Sequence, residues 1–111
     1  MSKGELAFTA LENWCRSQGY PVPVPEYPLL KPLGRRHKAD AAWVEHKVFL
    51  EIQGGNWMKR GGHTTGGAIE DDLEKFALAA TLGWRVIPCT YKQFNSGQVY
   101  EWLTAIFAAK S

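Results

Sequence analysis

The chain has 111 residues, 45% hydrophobic and 22% charged, which is enough for one globular domain with a core and too short for two. A formal net charge of +2 and a pI near 8.6 stop short of the pI above about 9 that marks many nucleic-acid binders, so any basic footprint has to come from local clusters. No apolar run approaches a membrane span, and Met1-Ser2-Lys3 leads straight into an amphipathic pattern without a signal peptide; a soluble, cytoplasmic protein with no membrane partner is expected. Cys15 and Cys89 are far apart and lack metal-ligand spacing, so they read as two buried thiols in a reducing compartment.

The first helix is expected over Glu5 to Gln18, where Leu6, Ala10, Leu11, Trp14 and Cys15 recur at helical steps. Ser2 is placed to cap it with Glu5 as capping-box partner, and Gly19 to stop it. Glu5 and Glu12 point off the apolar stripe, and for Glu12 a solvated helix face suffices. Tyr20 to Gly34 carries five prolines, which excludes a central strand and predicts a rigid extended connector with an edge strand around Glu26 to Leu30.

Lys38 to Gly55 then reads as two strands joined by a tight polar turn at Glu45-His46. A turn centred there puts Val44 opposite Lys47, Ala42 opposite Phe49 and Asp40 opposite Glu51. Directly opposed residues lie about 5 Å apart at Cβ, and two like charges at that distance destabilise a hairpin. A divalent cation held between the carboxylates would offset this, because hard cations take carboxylate oxygens. Gln53 falls on the same face as Glu51. The other face, Ala39, Ala41, Trp43, Val48, Leu50 and Ile52, is wholly apolar, so the hairpin reads as half core and half site. His37 and His46 read as polar residues at strand ends.

Gly54 to Gly67 has six glycines in fourteen residues, together with Trp57, Lys59, Arg60, His63, Thr64 and Thr65. It reads as a loop, either a plain surface segment or one carrying substrate contacts. It matches neither phosphate-binding glycine motif. A second long helix is expected over Ala68 to Leu82, buried through Ile69, Leu73, Phe76, Ala77 and Ala80, with Glu70, Asp71 and Asp72 in its first turn and Gly83 as its stop. Trp84 to Thr90 reads as a strand, its Pro88 suggesting an edge or a strand end. A last helix beginning at Asn95-Ser96-Gly97 buries Val99, Leu103, Ile106 and Phe107. The order is helix, strand, hairpin, loop, helix, strand, helix: an α/β layer architecture with helices covering a small sheet.

A carboxylate in one strand, a short turn and E-x-Q in the next, preceded by a helix bearing Glu and followed by helix and strand, resembles the PD-(D/E)XK nuclease superfamily. The resemblance covers most of the chain. Its more specific runs are A-D-A-A-W, L-E-I-Q-G-G, the G-G-H of the glycine-rich loop, E-D-D-L-E-K and L-G-W-R-V-I. These are similar to small very-short-patch-repair-like endonucleases and to phage Holliday-junction-resolvase-like enzymes. The resemblance implies a single-domain αβββαβ restriction-endonuclease-like core over residues 1–111, with a C-terminal helix. It implies Mg²⁺ or Mn²⁺ held by Asp40, Glu51 and the carbonyl of Ile52, with Glu5 as candidate further ligand.

The sequence departs from the superfamily at Gln53, where lysine is usual. Gln can hold a water but carries no positive charge. Lys75 is the candidate substitute by position; the competing reading makes it an exposed helix lysine paired with Asp71 or Asp72. His63 is a candidate proton shuttle or phosphate contact. Arg35, Arg36, Lys38, Lys59, Arg60, His63, Thr64 and Thr65 are the candidate DNA contacts. The implied activity is metal-dependent hydrolysis of DNA phosphodiesters, structure-selective at junctions or branches, by a homodimer. The alternatives are a mismatch- or site-nicking repair or restriction endonuclease, a non-catalytic nucleic-acid-binding module, and an α/β domain whose hairpin is purely structural. Trp57, Tyr91 and Trp102 are read as exposed aromatics available to an interface or to unpaired bases.

Overall fold

The computed structural model describes residues 2–53 and 65–108. The first helix, α1, runs Lys3–Gln18 and starts two residues before the expected position. Ser2 caps it: its hydroxyl accepts from the Glu5 amide, while Glu5 accepts from the Ser2 amide at 2.8 Å. Gly19 ends it at φ 75°, a conformation that is inexpensive only without a Cβ. Strand β1 (Val24–Tyr27) lies earlier than the expected Glu26 to Leu30, since Leu30 already leads into a 3-10 turn at Lys31–Leu33. Strands β2 (Ala39–Trp43) and β3 (Val48–Gln53) follow. Then come α2 (Thr65–Thr81), β4 (Arg85–Thr90), a short α3 (Tyr91–Asn95) and α4 (Gln98–Ala108). Asn95 thus ends a separate short helix instead of opening the last one.

The four strands form one mixed sheet in the order β1-β2-β3-β4, antiparallel except for the parallel β3–β4 pair. The fold is α/β with a C-terminal helix, in the expected αβββαβ order. The β2–β3 register is the expected one, with Ala41, Ala42 and Trp43 opposite Leu50, Phe49 and Val48. The turn is looser than expected: Val44–His46 makes a 3-10 turn closed by Lys47 at φ 56°, so Val44 and Lys47 are not a ladder pair.

Both faces of the hairpin are buried. Ala41, Trp43, Val48 and Leu50 pack with Leu11, Cys15, Leu103 and Phe107 of α1 and α4. Ala42 and Phe49 pack on the other side with Leu29, Leu30, Ala79 and Trp84. The half-core, half-site reading therefore fails for most of the hairpin. The physical reason is the parallel β3–β4 pair: its connection carries a helix onto the sheet, and the strand beneath becomes a continuous apolar run.

Two helix stripes are rotated from their expected phase. On α1 the buried positions are Ala7, Leu11 and Cys15, leaving Leu6 55% exposed. On α2, Lys75 and Ala79 are buried, while Leu73 is 60% exposed and Ala77 and Ala80 also face outward. Because α2 begins at Thr65, residues 70–72 fall beyond its first turn, so the expected dipole role for Glu70, Asp71 and Asp72 does not hold. Tyr91 and Trp102 are half-buried against the core instead of exposed. Both cysteines are buried and free. No helix among the described residues is long and apolar enough to cross a membrane.

Candidate active site

The hairpin opens at one end. The β2–β3 ladder stops at Ala41 and Leu50, while β3 stays paired with β4 as far as Gln53 and Thr90, and β2 with β1 as far as Ala39 and Tyr27. Asp40 sits in this fork. Its Oδ2 accepts a hydrogen bond from the Ile52 amide at 2.7 Å, so a carboxylate takes the place of the next backbone acceptor. In an extended strand a residue's N–H and C=O point to the same edge, so the Ile52 carbonyl also faces the fork. Glu51 is one residue away, half-buried.

Lys75 reaches this point from α2. Its Nζ donates to Glu51 Oε1 at 2.7 Å and to the Lys38 carbonyl at 2.5 Å. The residue is only 4% exposed, which overturns the surface-lysine reading. A buried ammonium without compensation is very costly, and these two acceptors, one on β3 and one just before β2, are what allow it there. Asp72, one turn earlier on the same face of α2, is half-buried and adds negative charge near both Asp40 and Glu51.

The carboxylates are under-compensated. Burial pushes Glu51 up to about 7; the hydrogen bond from Lys75 opposes the rise and the charge of Asp40 adds to it. Asp40 is also raised, first by loss of solvation and then by Glu26 and Asp72, against the Ile52 amide and Lys75. Asp40 remains open to solvent, although protein atoms crowd it. Cys89 of β4, paired with Ile52 of β3, is pushed up to about 12 by burial and by the same two carboxylates, which keeps it a thiol at neutral pH.

The donor set fits a hard divalent cation. Asp40 Oδ1 and Glu51 Oε2 have no hydrogen-bond partner among the described residues, and the Ile52 carbonyl faces the same opening. No group of three or more His, Cys, Asp or Glu side chains is gathered for a metal among the described residues. Glu5 is not brought into the pair: its carboxylate is held by the Ser2 amide in the capping box.

The other expected site residues are distributed unevenly. Gln53 ends β3 beside Glu51, half-buried. Arg35 is engaged by Glu74 at 2.9 Å, while Arg36 and Lys38 are exposed. Lys59, Arg60, His63 and Thr64 lie outside the described residues, as does Trp57; Thr65 is the first residue of α2.

Two residues near the site were not anticipated. Asp72 stands three positions before Lys75, and that helical spacing was a usable signal. Glu26 stands in β1 between Pro25 and Tyr27, which pair with Ala41 and Ala39, so it falls opposite Asp40. Its backbone is left-handed at φ 48°, a conformation that no pattern in the sequence announces.

Beside the fork, α1 and the sheet enclose a cavity of about 630 Å³, with Glu5, Phe8, Glu26, Asp40, Ile52 and Tyr91 among its walls. No protein-family model, curated protein or solved structure matches the chain.

Proposed function

We propose that the protein is a Mg²⁺-dependent DNA endonuclease of the PD-(D/E)XK type, acting on branched or distorted duplex as a homodimer. The observation that carries the reading is the buried Lys75 on Glu51, one residue from an amide held by Asp40. A fork of two carboxylates with a cation-bearing side chain is what phosphodiester hydrolysis needs. Asp40, Glu51 and the Ile52 carbonyl would hold Mg²⁺, which when bound neutralises phosphate charge and lowers the pKa of a bound water.

The chain's own residues supply the rest. Lys75 puts the positive charge that Gln53 lacks beside Glu51, where it holds the carboxylate and meets negative charge developing on a phosphate. Gln53, with one acceptor and two donors on its amide, orients a water at the end of β3. The Ile52 amide fixes the Asp40 carboxylate, so its second oxygen faces the fork without a rotamer search. Arg36 and Lys38 provide exposed positive charge for the DNA backbone next to the fork.

The test is nicking of supercoiled and four-way DNA with Mg²⁺, lost in Asp40→Asn and Glu51→Gln. A wild-type protein that cleaves no branched or linear DNA with Mg²⁺ or Mn²⁺ ends this reading. The second reading, a non-catalytic nucleic-acid-binding module, draws on the same ion pair, since a Glu51 already engaged by Lys75 has part of its charge compensated. Salt-dependent DNA binding without cleavage would decide for it.

A further inference from the structure

We propose that the cavity beside Asp40 is a subsite for one unpaired nucleobase bearing an exocyclic amine, so cytosine, adenine or guanine and not thymine. Its place next to the cleaved bond rests on the endonuclease reading above. The cavity is of ligand size, at about 630 Å³, and it shares Asp40 and Ile52 with the fork, so a nucleotide whose phosphate lies at the fork has its base within reach.

The walls select a base over a backbone. Phe8 and Tyr91 supply flat apolar surface, while Glu5 and Glu26 supply acceptors, and among the described residues no lysine or arginine lines the cavity. A phosphate is repelled by such a lining; an aromatic ring carrying N–H donors is accepted. Lys3 sits over the Tyr91 ring at 4.8 Å, and it lines a neighbouring smaller hollow that shares Tyr91, not this one.

Carboxylates accept from the amine of cytosine, whereas thymine offers carbonyl oxygens at the equivalent position. The base must be unpaired, because the carboxylates address its pairing edge, which a partner base would occupy. Enzymes that read extruded bases use the same combination of aromatic stacking and hydrogen bonds to the pairing edge. Glu26 opposite Asp40 has the central acceptor role, since Glu5 is already engaged by Ser2.

The subsite is tested first with free nucleosides, by titrating deoxycytidine, deoxyadenosine and thymidine while following backbone amide shifts by NMR. Deoxycytidine and deoxyadenosine are expected to shift Phe8, Ile52 and Tyr91, and thymidine to bind about tenfold more weakly. Glu26→Gln and Tyr91→Ala should each weaken the amine-bearing nucleosides. Equal shifts for all three nucleosides, no shifts, or shifts unchanged in both variants overturn the proposal.

Cleavage-site sequencing on branched DNA is the second arm. An active enzyme with no preference for unpaired cytosine, adenine or guanine over thymine beside the cut overturns the subsite and leaves the endonuclease standing. Selective nucleoside binding by a protein that cuts no DNA overturns the endonuclease reading and the placement beside a cleaved bond, while supporting the pocket's base selectivity.

Discussion

Lys75 Nζ lies 2.7 Å from Glu51 Oε1, and the two residues come from different layers of the fold, one from α2 and one from β3. Their side chains are 5% and 15% exposed, so the pair is shielded from water on almost every side. A pair of this kind behaves unlike a surface salt bridge. Each partner makes the other's burial tolerable, and removal of either leaves an uncompensated charge.

Lys75→Met should therefore lower cleavage by about a hundredfold or more, the scale seen when a single stabilising donor is lost. It should also destabilise the fold by about 3–5 kcal/mol, whereas Lys75→Met combined with Glu51→Gln should recover most of that loss. Thermal melts of the two single variants and the double variant give the coupling directly. Simple additivity would show that the pair contributes nothing to stability.

Metal binding should depend on pH through Glu51, whose pKa is pushed up to about 7. A cation needs the deprotonated carboxylate, so Mn²⁺ affinity should rise with pH up to about 7 and level off above it, with proton release detectable by calorimetry in buffers of different ionisation enthalpy. The metal-free fold has the opposite slope. A raised carboxylate pKa means stability fully present below the ordinary 4.5 and lost as pH rises through about 7. Glu51→Gln should flatten both profiles.

Asp40→Asn and Asp40→Ala should separate structure from chemistry. The asparagine can still accept from the Ile52 amide and relieves repulsion from Glu26 and Asp72, so stability is expected to hold or rise slightly. The alanine orphans that amide and should cost about 1–3 kcal/mol. Both should lose Mn²⁺ binding. Retention of metal affinity in Asp40→Asn, measured by calorimetry, would remove Asp40 from the ligand set.

Glu26→Gly tests the left-handed backbone at φ 48°. Removing the Cβ relieves about 1–2 kcal/mol of strain and gives back about 0.5–1 kcal/mol in chain entropy, so a small net stabilisation is expected by urea denaturation. Loss of the neighbouring charge should also lower the Asp40 pKa, which NMR titration of its carboxyl carbon reads.

Much of this architecture was legible from local patterns. The capping box of Ser2 and Glu5 and the stop at Gly19 depend on residues within one or two turns of each other. The hairpin register follows from where the apolar runs break, but the ladder ends at Ala41 and Leu50, so the expected cross-strand pair of Asp40 and Glu51 is not formed and Asp40 accepts from the Ile52 amide instead. Burial was less legible. Helical periodicity assigns leucine to the interior and lysine to water, and on α2 that phase is wrong. Leu73 faces outward because Asp72, Lys75, Phe76 and Ala79 occupy the side turned to the sheet.

The sequence by itself determined the order of the long helices and strands and the β2–β3 pairing, and it singled out Asp40 and Glu51, because these rest on patterns between near neighbours in the chain. Only the tertiary structure decided that Lys75 compensates Glu51, that Glu26 faces Asp40, and that a cavity opens beside them. Lys75 finds its acceptors 24 and 37 positions away. Glu26 acquires its role from a backbone angle and a neighbouring strand. Packing of α2 onto the sheet makes the buried charge affordable, and no periodicity along the chain carries that information.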